Sequence, residues 1–147
     1  MYATLQVLHS YWAYLVVLIV VLATLNALIG FFAKKEYAAK DFRISLFALI
    51  VTHIQLLLGL LLIFLSPYFV WFSGTHAVGE IMKNATLRLY NVEHPLTMIL
   101  GVVFITMGYS KHKNKLTSTP KFKLLAIFYT LALILILSRI PWANWLS

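Results

Sequence analysis

Four apolar runs, at about 5–33, 44–65, 92–109 and 122–140, constrain this chain more than any other feature. The first two carry no lysine, arginine, aspartate or glutamate, and the few charges of the other two fall at their ends. Each run is near or above the roughly 20 helical residues that cross a bilayer. With 62% hydrophobic residues in 147, the chain has too little polar surface to cover a soluble globule. The expected fold is therefore all-α: an integral-membrane, up-down four-helix bundle, with residues 1–147 forming one domain and the lipid bilayer as its solvent. The first run lacks a basic leader and is too long for a signal-peptide core, so it is read as a retained helix and the encoded N-terminus as the mature one.

Charge sets the expected orientation. The net charge of +8 suggests no nucleic acid partner, because the basic residues cluster in two short connections beside apolar runs. In the first connection Lys34, Lys35, Lys40 and Arg43 face Glu36 and Asp41. The second holds Lys111, Lys113, Lys115, Lys121 and Lys123 with no acidic residue. Both read as inner connections, which puts the N-terminus and C-terminus outside, with Trp142 and Trp145 as outer interfacial anchors. Residues 66–91 form the outer connection, in which a short interfacial helix is expected.

Against this apolar background a few polar residues stand out: His9, His53, His94, Gln55 and Arg139. Histidine is uncommon at membrane depth because its ring needs a partner. His94 precedes Pro95, which fits only in a first helical turn, so the third span is expected to begin near Asn91 as N-cap. Below His94, Met98, Gly101, Ile105 and Gly108 continue one helical face, and the glycines leave room for a flat group against the backbone. A bundle core with several histidines is where b-type haem is held. The chain has no cysteine, which excludes thiol ligation and covalent haem attachment. Axial ligation needs two imidazoles facing each other at similar depth. His9 sits near the outer boundary, His94 about one turn below it, and His53 roughly three turns below, some 15 Å above Arg43. In an up-down bundle the first and third helices are diagonal, so His9 with His94 is the favoured pair; His53 with His94 is the alternative.

Arg88, Arg139 and Lys83 are the cations available to haem propionates near the outer face, and Glu93 is placed to orient an imidazole or to pair with Arg139. Simpler readings stand beside these. His53 suits a core histidine bonded to a carbonyl one turn away, Arg139 a snorkelling anchor, and Gly101 and Gly108 close-packing points between helices.

His9-Ser10, Asp41-Phe42-Arg43-Ile44, His53-Ile54-Gln55-Leu56-Leu57-Leu58-Gly59, Glu93-His94-Pro95 and Arg139-Ile140-Pro141-Trp142 together resemble a group of small bacterial membrane proteins, common in Bacteroidetes, labelled cytochrome b. A weaker similarity is to one half of the haem A synthase fold, with a histidine on its first and third helices and Gln-x-x-x-Gly on its second. His9, His94, Gln55 and Gly59 match those positions, and Gln55 joins the expected haem-site residues on this ground. The chain has one such half only, with Pro95 where that family commonly has arginine, so synthase activity is not implied. The resemblance implies a multi-pass protein of the bacterial inner membrane, with haem b as cofactor between the first and third helices. Bis-histidine ligation leaves no open iron position, so electron transfer with a quinol or a redox partner protein is expected over oxygen chemistry. The alternative is a non-haem accessory subunit of a larger respiratory or transport complex, or a homo-oligomer. No nucleophile–base pair or phosphate loop points to a stand-alone enzyme.

Overall fold

The computed structural model describes residues 1–145 and is all-helical over that range, with four long apolar helices. Helix α1 spans Tyr2–Phe32 and α2 Ala39–Leu65. Two short helices follow, α3 at Val78–Lys83 and α4 at Ala85–Arg88. A π-turn over Leu89–Glu93 leads into α5 at His94–Lys113, and α6 at Ser118–Ser138 and the short α7 at Trp142–Trp145 complete the order. Helices α1, α2 and α6, and the continuous stretch Ala85–Lys113, are long and apolar enough to cross a membrane.

Helix ends follow local chemistry. Helix α1 closes in a Schellman motif, with Lys35 N–H donating to Gly30 O at 3.0 Å and Lys34 N–H to Phe31 O at 3.4 Å. Lys34 takes the left-handed conformation there, φ +52°, a place glycine usually fills. Helix α2 starts at Ala39, five residues before the apolar run. Asp41 is buried in its first turn, accepting from Ala38 N at 2.8 Å and from Asn26 Nδ2 at 2.9 Å. Ser66, followed by Pro67, ends the helix.

The third span differs most from expectation. Asn84, not Asn91, is the N-cap, accepting through Oδ1 from Thr86 N and Leu87 N. Asn91 is buried inside the π-turn and fastens the connection to the helix: it accepts from Val70 N at 2.7 Å and donates to Tyr68 O at 3.0 Å and Leu87 O at 2.8 Å. Pro95, lacking an N–H, leaves Asn91 O without its α-helical donor, and Trp71 Nε1 supplies one at 2.8 Å. The sequence rule for proline placed the start of a helix correctly in α5, but an uncapped π-turn carries the helix through it.

The principal packings are α5 on α6, α1 on α2, α1 on α6 and α2 on α5, which leaves α1 and α5 on one diagonal and α2 and α6 on the other. One core joins all four: Val16, Val20 and Ala27 of α1, Ala48 and Val51 of α2, Ile105 of α5, and Leu125 and Tyr129 of α6. Tyr129 crosses the core to donate to Ser45 O at 2.8 Å. Glycines set the close contacts. A Cβ on Gly108 would meet Phe128 Cβ at 2.7 Å, and one on Gly30 would meet three Phe122 ring carbons at 2.4–2.6 Å. At the same end of the bundle as these lysine-rich turns, His112 is fully buried; its Nδ1–H donates to Tyr109 O at 2.5 Å, so its Nε2 accepts from Tyr37 OH at 2.7 Å. Burial pushes the Tyr37 phenol up to about 12.

Candidate functional site

At the opposite end, where α1, α2, α5 and α6 meet the 66–93 connection, the helices part around a cavity of about 570 Å³. That volume lies within the range of small-molecule and cofactor sites. Its walls include His9, Gln55, Gly59, His94 and Met98, and Trp145 closes one side. Trp145 is fixed by its indole N–H on Ser10 O at 3.1 Å and by stacking on Tyr14 at 4.5 Å. Tyr68 stacks on Tyr90 at 5.3 Å, and Tyr90 OH accepts from Asn144, tying the connection, the helix head and the C-terminal segment into one rim.

The diagonal of the bundle brings His9 of α1 and His94 of α5 to within 6.2 Å, centroid to centroid, with ring planes at 80°. Their local settings differ. His94 Nδ1–H donates to Arg139 O at 2.9 Å, since a carbonyl only accepts; its Nε2 therefore carries the lone pair. The π-turn ends at this residue, where His94 N–H bonds Leu89 O five residues back and not the carbonyl four back. His9 lies with Cε1 3.3 Å from where a Gly59 Cβ would stand, so the glycine makes room for the imidazole. The backbone carbonyl of His9 accepts from Gln55 Nε2 at 2.8 Å, while His9 Nδ1 and Gln55 Oε1 are both buried without a partner.

This geometry can be tested against a haem. His9 and His94 are the two imidazoles that would hold it, one from each diagonal helix. The 6.2 Å separation of the two rings is compatible with a metal held between them. Among the described residues no group of three or more His, Cys, Asp or Glu side chains gathers as a metal cluster. Two imidazoles suffice where a porphyrin supplies the remaining four donors.

Other residues singled out from the sequence fall elsewhere. His53 faces outward on α2, away from the cavity; its Nδ1–H donates to Leu49 O, one turn back, at 2.7 Å, and its Nε2 lies 3.4 Å from Thr106 Oγ1. Gly101 does not open onto the cavity, because Ile136 of α6 lies where its Cβ would point, at 3.0 Å, and itself forms part of the wall. Glu93 does not orient His94; it sits between Arg88, Nε–Oε2 3.2 Å, and Arg139, Nε–Oε1 4.0 Å. Arg88 also donates to Met82 O at 2.8 Å. Lys83 is exposed on α3. His112 and Asn91, both buried and fully engaged, were not legible as such, since one lies among loop lysines and the other reads as a cap.

No family model, curated protein or solved structure matches the chain.

Proposed function

We propose that this chain is a b-type haem protein that transfers electrons in a bacterial inner membrane, akin to the small four-helix proteins labelled cytochrome b. The observation that carries the reading is the pair of diagonal imidazoles, His9 and His94, 6.2 Å apart in one cavity. His94 presents Nε2 because Arg139 O holds its Nδ1–H, and Gly59 leaves His9 space beside α2. Glu93 neutralises one of its two arginines, so Arg88 and Arg139 together leave one positive charge near the rim for propionates. When bound, a haem held by His9 and His94 would supply one-electron redox chemistry, and exchange with a quinol or a redox protein would be favoured over oxygen binding. The lysine-rich connections support an orientation with the His112 end inside, both termini outside and the cavity at the outer leaflet.

The test is a reduced-minus-oxidised visible spectrum of the detergent-purified protein, with His9→Ala, His53→Ala and His94→Ala beside it. A low-spin b-type signal lost in the His9 and His94 variants and kept in the His53 variant is expected. A wild-type protein without haem, expressed with ample haem supply, sinks the reading and leaves an accessory subunit of a larger complex in its place.

A further inference from the structure

The two unpartnered buried atoms in the cavity wall belong to two residues already in contact. Gln55 Nε2 donates to the backbone carbonyl of His9 at 2.8 Å, which clamps α2 to α1 at the height of the imidazole. The opposite assignment of the amide would set two oxygens against each other, so Oε1 is the free end. That oxygen is an acceptor without a donor, and His9 Nδ1 is buried and equally alone. An orphaned acceptor and an orphaned ring nitrogen in low dielectric each cost more than a hydrogen bond recovers. His94, across the cavity, shows the satisfied version of the same arrangement, with Nδ1–H on Arg139 O. A ligating imidazole nearly always donates its remote N–H to a carbonyl or carboxylate, which fixes its tautomer and ring direction. Of the two histidines, only His9 lacks this support.

We propose that Gln55 is the positioning residue for His9: its Oε1 takes the His9 Nδ1–H, holding the tautomer whose Nε2 lone pair points into the cavity. In this role Gln55 acts through the histidine. The assignment rests on the haem reading for its purpose, but the hydrogen bond belongs to the protein itself. The bond requires the imidazole or the amide to turn, since both atoms are unpaired as the structure stands while Gln55 Nε2 already holds the backbone of the same residue.

The experiment is ¹⁵N NMR of the histidine rings in the detergent-solubilised, haem-free protein, with His94 as the internal standard for an intact cavity. In the wild type both His9 and His94 are expected as Nδ1–H tautomers. Gln55→Ala is expected to convert His9 to a tautomer mixture while leaving His94 unchanged. Gln55→Glu, as a neutral carboxylic acid, keeps both functions, its O–H donating to the His9 carbonyl and its other oxygen accepting, and is expected to retain the Nδ1–H form. In haem-loaded protein Gln55→Ala, which removes the acceptor on His9, is expected to raise the midpoint potential. An unchanged His9 tautomer in Gln55→Ala, or a mixture in Gln55→Glu equal to that in Gln55→Ala with His94 intact, overturns the assignment. A wild type that binds no haem overturns the electron carrier alone, because the ring nitrogens are read without it.

Discussion

Gly30→Ala tests whether the bundle is packed as tightly at its α1–α6 crossing as the structure has it. A Cβ at Gly30 lands 2.4–2.6 Å from three ring carbons of Phe122, against a comfortable carbon–carbon contact of about 3.5–4.0 Å. The ring must retreat by about 1 Å. Phe122 is only 1% exposed and has the Tyr37 ring edge-on behind it at 5.3 Å, so it has no free side to move into. Overpacking of this kind costs about 1–3 kcal/mol, and the gain in helix propensity from glycine to alanine returns up to about 1 kcal/mol. The net expectation is a loss of about 1–2 kcal/mol, read from SDS-driven unfolding in mixed micelles by circular dichroism. Phe122→Ala removes the obstacle, so Gly30→Ala added to that background should stabilise the protein by a few tenths to about 1 kcal/mol. The sign change across the two backgrounds, a coupling of about 2 kcal/mol, is the diagnostic. An equal cost of Gly30→Ala in both backgrounds refutes the packing argument.

Asn91→Leu leaves Val70 N–H and Tyr68 O without partners and should cost about 2–4 kcal/mol, with faster proteolytic cleavage in the 66–77 connection as the local readout. Lys34→Gly relieves a left-handed residue at the end of α1 and should raise stability by about 0.5–1 kcal/mol in the same unfolding assay. Alkaline pH should loosen the lysine-rich end. The Tyr37 phenol keeps its proton to about 12 when folded but to about 10 when unfolded, so its contribution is intact below pH 10 and is lost as pH climbs toward 12. With the ring half-exposed that contribution is about 1 kcal/mol, and Tyr37→Phe should flatten this part of the stability–pH curve.

Hydropathy located all four long helices to within a few residues because uncharged runs of that length have few other stable states in or out of a bilayer. The same reading missed how the ends are built. Helix α2 reaches back to Ala39 because Asp41 and Asn26 bury a polar contact that a hydropathy count registers as loop. The shared helical phase of His94, Met98, Gly101 and Gly108 was readable, but which of them meets empty space depends on where α6 lies. Met98 lines the cavity, whereas Ile136 and Phe128 occupy the positions beside the two glycines. That is a property of the helix pair, invisible in either helix alone. His53 shows the converse: the bland alternative, a bond to a carbonyl one turn back, is the contact observed.

The π-turn over Leu89–Glu93 amounts to one residue more than a regular helix would spend on the same stretch. Each residue turns an α-helix by about 100°, so removing a single residue here would restore regular winding and swing Asn84 and Arg88 around the axis. His94, Met98 and the seam with α6 would stay as they are. The chain can thus gain or lose a residue at this one place and re-aim its rim while the shaft below stays in register. Single-residue length changes among relatives should collect at Leu89–Glu93 and be rare within α5 itself.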